Sequence, residues 1–224
     1  MAPISDPSIV QSPNGHRRVG LFGGTFDPPH VGHILTGQRV AEQLGLDEVW
    51  FVVAHDPWQK TEAQQVSPAE LRRDMTAAAC YVSRPGRSDG AGGVQMKVSE
   101  VELEAGGPSY SADTLRTLSA RHEHYSFSLI VGSDAAALLD TWHDAQWLRD
   151  NARFIVVRRG ADTSVPATGF NIETVHCPLL EISSTEIRAR IRADLPVKHM
   201  VPDAVLGLIK AYALYRDADA EKPE

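Results

Sequence analysis

The 224-residue chain is 42% hydrophobic and carries a formal net charge of −7, enough apolar content for the core of one domain. The acidic balance excludes a protein that coats duplex DNA or an anionic membrane, since both reward a basic surface. Cys80 and Cys177 stand far apart and outside any CxxC pattern, which argues against a disulfide framework or a zinc ribbon and for a reducing cytoplasm.

Residues 1–17 and 217–224 are polar and read as mobile tails around a single domain at 18–216. No apolar run has the ~20 residues of a membrane span, and none near the start resembles a signal peptide. Val19 to Gly23 is a short apolar run ending in glycine, as in a buried parallel strand that feeds a tight turn. In the following VGHILTGQRVAEQL, residues Val31, Ile34, Leu35, Ala41 and Leu44 share one broad helical face, and Gly45 stops the helix. EVWFVVA at 48–54 supplies a second strand, completing a βαβ unit.

SPAE at 67–70 marks a helix start, with Ser67 as N-cap, Pro68 at the first helical position and Glu70 placed to close a capping box. Residues 84–93 form a Gly-rich polar loop, and VQMKVSEVELE after them alternates as a half-exposed strand does. A helix then begins near Ser111, and SFSLIVG at 126–132 repeats the pattern of a strand ending in glycine. Beyond it come a helical stretch with Trp142 and Trp147, the strand RFIVVRR, the segment TVHCPLLEI, and helices near 184–193 and 203–215. Strands and helices alternate throughout. The expected fold is therefore α/β, a doubly wound, Rossmann-like parallel sheet flanked by helices, whose ligands sit outside the carboxyl ends of the strands.

GGTFDPPH and GSD both occupy such ends. Gly23 and Gly24 let a phosphate approach the main chain closely. Pro28 and Pro29 stiffen the turn ahead of a helix whose first N–H groups lack partners and favour anions. His30 and His33, three apart, lie side by side on the first turn and can donate hydrogen bonds toward one point. A polyphosphate would fill it. No GxGxxG, Walker loop, HExxH or GxSxG occurs. On these residues alone a plain turn, a structural histidine pair and a zinc pair stay open as readings.

GGTFDPPHVGH resembles the GxFxPxHxGH signature of the nucleotidyltransferase superfamily, and ISSTEIR at 182–188 resembles its SxTxxR partner. PWQK at 57–60, GGPSYSADTL at 106–115 and GSDAAALLDTWHD at 132–144 are similar to stretches of the bacterial nicotinate-nucleotide adenylyltransferases. The resemblance spans about residues 18–216 and rests on motif order and spacing. It implies adenylyl transfer from ATP, accompanied by Mg²⁺, to nicotinate mononucleotide in the cytoplasm. No protein-held metal, nucleic acid or membrane is implied, and oligomeric state stays open.

By the same resemblance His30 and His33 are catalytic, and Gly23, Gly24, Thr25 and Phe26 lie along the nucleotide. Ser183, Thr185 and Arg188 close on the triphosphate, while Gly132 and Asp134 contact the adenosine. Thr185 or Ser184 also reads as a helix cap. Trp142 stacks on the nicotinate ring, Tyr110 and Ser111 with the main chain around His143 meet its carboxylate, and Lys60 and Arg158 or Arg159 reach the mononucleotide phosphate. Trp147 is expected in the core and His122 and His124 on the surface. Other acceptors of the superfamily, nicotinamide mononucleotide or phosphopantetheine, and a non-catalytic nucleotide-binding module are the competing expectations.

Overall fold

A computed structural model of the chain describes residues 15–56, 66–81, 94–160, 167–178 and 180–216. Six strands, β1 (Arg17–Gly24), β2 (Glu48–Val53), β3 (Gln95–Ser99), β4 (Tyr125–Gly132), β5 (Arg153–Arg159) and β6 (Asn171–Cys177), form one sheet in the order β3-β2-β1-β4-β5-β6. Every pairing is parallel. This is the Rossmann-like order expected from the alternating elements, and its direction of winding reverses between β1 and β4.

The pleat divides the core in two. Val19, Leu21, Trp50, Val52, Phe127, Leu129 and Phe154 face one side. There they meet α3 (Val101–Ala105), α4 (Ser111–Arg121), a 3-10 turn at Leu139–Thr141 and α6 (Ala145–Asn151), and α5 (Ser133–Ala136) lies against β4 and β5. On the opposite face Val49, Phe51, Val53, Ile130, Ile155, Val157 and Val175 pack with α1 (Val31–Leu44) and Cys80 of α2 (Ala69–Tyr81). A third apolar cluster joins α2 to α7 (Ser184–Arg192) and α8 (Asp203–Ala211) through Met75, Ile187, Val205 and Ile209.

Several local expectations need correction. The buried stripe of α1 is Thr36, Gly37, Val40 and Ala41, while Val31, Ile34, Leu35 and Leu44 are only half-buried. Small side chains bring the helix close to the sheet: a Cβ on Gly37 would lie 3.3 Å from the Phe51 ring. The alternating run at 94–104 is not one strand. β3 stops at Ser99, opposite Val52, where β2 itself is ending, and the unpaired chain coils into α3. α2 starts at Ala69, so Pro68 rather than Ser67 flanks it; the Ser67 N–H donates instead to the Asp27 carboxylate.

α8 ends at Ala211, short of 215, and the turn after it carries Ala213 and Tyr215 with φ of 48° and 66°. β1 opens at Arg17, inside the stretch expected as a tail. Residues 1–14, 217–224 and the loop expected at 84–93 lie outside the described residues. Among the described residues no helix is long and apolar enough to cross a membrane.

Candidate active site

The carboxyl ends of β1 and β4, where the winding reverses, open into a cleft of about 470 Å³. Its walls include Gly23, Gly24 and Thr25 from β1 and its turn, Gly132 and Ala135 from the β4–α5 junction, Tyr110 and Ser111 at the start of α4, and Trp142 with His143. Five of the nine expected nucleotide contacts, Phe26, Asp134, Ser183, Thr185 and Arg188, are absent from these walls, as are His30 and His33. Phe26 is buried at 3% exposure, its ring edge-on to His33 and Phe51, and Asp134 is exposed while its neighbour Ala135 lines the cleft.

Phe26 explains the glycine before it. Its φ is 51°, an uncommon backbone state for a bulky residue, and the turn folds its ring over Gly24, where a Cβ would come within 2.8 Å. Gly23, by contrast, has nothing within 4 Å of a built Cβ, so the main chain there is open to the cleft.

His30 is the N-cap of α1, and the rings of His30 and His33 stack with centroids 3.7 Å apart. The His30 main-chain N–H donates to His33 Nδ1 at 3.1 Å. Since that nitrogen accepts, a neutral His33 must carry its proton on Nε2. The reciprocal capping contact is loose: the His33 main-chain N–H bonds the His30 carbonyl at 3.0 Å, and His30 Nδ1 is buried with no hydrogen-bond partner. Burial, reinforced by the charge of Arg159, lowers the His30 pKa to about 4, so its imidazole is neutral near pH 7. Gly32 permits this stack, because a Cβ there would sit 3.0 Å from His30 Nδ1.

α7 is tied to the same loop. Arg188, buried at 6% exposure, donates to the Asp27 carbonyl at 2.7 Å, and Ser184 Oγ donates to the Pro28 carbonyl at 2.8 Å. Ser183, rather than Ser184 or Thr185, caps α7 by accepting from the Glu186 N–H. The Thr185 hydroxyl accepts from Arg188 at 3.3 Å. The late SxTxxR segment and the early HxGH turn, more than 150 residues apart, thus share one loop.

On the far wall the Tyr110 and His143 rings stack at 4.2 Å, and Trp142 packs edge-on to Phe154 of the core. Trp147 is half-buried, with the Arg116 guanidinium 4.0 Å from its ring centroid. Arg158 and Arg159 end β5. His124 is exposed, and His122 is half-buried against Trp50. Lys60 and the whole PWQK stretch lie outside the described residues.

Three residues that sequence reasoning passed over organise the site. Arg72, 2% exposed, donates to the carbonyls of Ser67, Thr25, Ala54 and His55 at 2.6–3.1 Å, drawing together the loops after β1 and β2. The Asp27 carboxylate accepts from the Ser67 N–H and from the Tyr215 hydroxyl, at 3.1 and 2.6 Å. Glu102, on the cleft wall, accepts from the Thr114 hydroxyl at 2.6 Å, and burial raises its pKa. Arg72 and Glu102 gave no signal beyond a charged residue within an ordinary helix or strand, while Asp27 stood inside the Gly–His turn without a role of its own.

Comparison with known proteins agrees with this geometry. The cytidylyltransferase-like family model matches residues 21–190. A Streptomyces coelicolor protein named "Probable nicotinate-nucleotide adenylyltransferase" is 41% identical over 199 residues, covering 87% of this chain and 99% of that protein. A Saccharopolyspora erythraea protein of the same name is 40% identical over 207 residues, covering 91% and 92%. Among solved structures, the Plasmodium falciparum nicotinic acid mononucleotide adenylyltransferase complexed with NaAD superposes with a TM-score of 0.70 at 20% identity, covering 89% of this chain and 98% of that one; at that identity it speaks for the fold. The stacked histidine pair, the arginine bound to its loop and the extent of these matches lead to one conclusion: the chain belongs to the cytidylyltransferase-like family, among its nicotinate-nucleotide adenylyltransferases.

Proposed function

We propose that the protein transfers the adenylyl group of ATP to nicotinate mononucleotide, yielding nicotinate adenine dinucleotide and pyrophosphate, a step of NAD biosynthesis. The observation that carries this reading is the stacked His30–His33 pair at the start of α1 with Arg188 bonded to the same loop, beside a cleft at the point where the sheet reverses its winding. The names of the curated relatives support the same substrates.

An oxygen of the acceptor's phosphate attacks the α-phosphorus, the bond to the β-phosphate bridge breaks, and its electron pair leaves with pyrophosphate. No covalent nucleophile is needed, so the protein acts by alignment and charge stabilisation. His33 offers its Nε2–H to a phosphate oxygen, held in that tautomer by the bond at Nδ1. His30, neutral in the free protein, donates its one N–H and is drawn toward protonation as phosphate charge arrives. Arg188, with Ser183 and Thr185 beside it, faces the triphosphate, and the open main chain at Gly23, Gly24 and Thr25 receives the nucleotide. Gly132 borders the adenosine.

Trp142, Tyr110 and Ser111 form the acceptor end, where an aromatic face and donors at a helix start suit a flat anionic ring. Arg158 and Lys60 are assigned to the mononucleotide phosphate. Relatives of this kind use a divalent metal with ATP. Mg²⁺ would be carried in on phosphate and water oxygens, where it would neutralise phosphate charge. Residues 18–216 are assigned to one nucleotidyltransferase domain, and the two free, buried cysteines suit a cytoplasmic location.

The test compares pyrophosphate release from ATP with the acid and the amide mononucleotide at equal concentration. Release with the acid at a kcat/KM well above that with the amide is the expected result. ATP binding without release of pyrophosphate with either acceptor would overturn the assignment in favour of a nucleotide-binding module.

A further inference from the structure

β5 ends in two consecutive arginines, and a strand sends neighbours to opposite faces. Ile155 and Val157 pack with Phe26, Val40 and Cys177 on the α1 side of the sheet, whereas Phe154 packs with Leu148 and Trp142 on the other. By parity Arg159 belongs to the α1 side and Arg158 to the Trp142 side. The two arginines, interchangeable in the sequence, therefore serve different ends of the site.

Three further observations locate Arg159. It lines a cavity of about 10 Å³ together with His30, Gly32 and Cys177, space on the order of one water, or of one phosphate oxygen. Across that cavity His30 is 95% buried, with its Nδ1 lacking a hydrogen-bond partner. The segment that closes the cavity, Leu180 and Ile182, runs directly into the cap of α7 and so toward Arg188. Arg159 itself is exposed, and its charge bears on the His30 ring. A cation beside a neutral, partly unsatisfied imidazole is an arrangement completed by an anion.

We propose that Arg159 is a catalytic residue that grips the β- and γ-phosphates of ATP alongside His30 and Arg188, and that it stabilises the pyrophosphate as it departs. This rests on the adenylyl-transfer reading above. When the bridge oxygen takes the electron pair from the α-phosphorus, negative charge grows on the leaving pyrophosphate, and a guanidinium fork there offers two N–H donors to it. Arg158, on the opposite side, is left to the acceptor.

The experiment compares wild type, Arg159→Gln, Arg159→Lys and Arg158→Gln in two measurements. In steady-state kinetics Arg159→Gln raises KM for ATP and the inhibition constant of inorganic pyrophosphate by about tenfold, as loss of one charge-assisted contact does. It leaves KM for the acceptor unchanged, and Arg159→Lys recovers part of the loss. Arg158→Gln shows the opposite pattern, with a raised acceptor KM. In calorimetry with inorganic pyrophosphate and magnesium, which needs no turnover, Arg159→Gln binds more weakly than wild type. Equal pyrophosphate affinity in those two proteins overturns this proposal, as does a rise confined to the acceptor KM. A wild-type protein that binds pyrophosphate yet forms no dinucleotide sinks the adenylyl-transfer reading instead.

Discussion

Replacing Arg72 by methionine keeps the apolar stem and removes a guanidinium that bonds four main-chain carbonyls. A hydrogen bond from a charged donor contributes about 1.5 kcal/mol at the low end, so four amount to about 6 kcal/mol. Burying the cation offsets roughly half of that, since desolvating a guanidinium costs several kcal/mol. The expected loss is about 3 kcal/mol, or about 10 °C in Tm for a chain of this size. Because Thr25 and Ala54 both line the cleft, KM for ATP should rise in the folded variant as well. Thermal unfolding followed by circular dichroism, with kinetics at a temperature where both proteins are folded, measures both effects. A Tm within 2 °C of wild type, with KM unaltered, would refute the idea that this arginine clamps the two loops.

Removing the imidazole in His33→Ala should lower turnover by ~10²-fold with the circular dichroism spectrum intact, as loss of one preorganised donor does; equal turnover excludes His33 from catalysis. Gly32→Ala favours helix by about 1 kcal/mol yet crowds His30 at 3.0 Å, so Tm should hold or rise while kcat falls, and full activity would count against the stacked pair. His30 makes stability pH-dependent. Its folded pKa of about 4 lies below the unfolded 6.5, so between those values the unfolded chain binds a proton that the folded chain refuses, and stability drops as pH falls. From pH 7 to pH 5 this amounts to about 2 kcal/mol, read from urea unfolding at the two pH values. The His30→Asn protein should lose that part of the dependence, and parallel curves for the two proteins would contradict the buried, neutral state.

Much of the site could be read from spacing because its parts are local. HxGH places two imidazoles on one helical turn whatever surrounds it, and the structure stacks them there. Spacing did not show the direction of the Phe26 ring: an aromatic side chain next to an apolar sheet gains more from burial than from solvent, and the turn folds it inward over Gly24. The run at 94–104 failed for a related reason: Val101 and Leu103 repeat with a strand's period, and only the end of β2 shows that no partner remains for them.

By itself the chain determined the alternation of strands and helices, hence the parallel sheet, and the two motif segments proposed to carry the phosphate chemistry, because period and turn chemistry act over a few residues. Tertiary structure alone decided that Arg188 reaches the Asp27 carbonyl, that Arg72 ties together the loops after β1 and β2, and which face of the sheet lies against α1. Those outcomes depend on which strands become neighbours and which face each side chain takes, relations between residues up to 161 positions apart that no local pattern encodes.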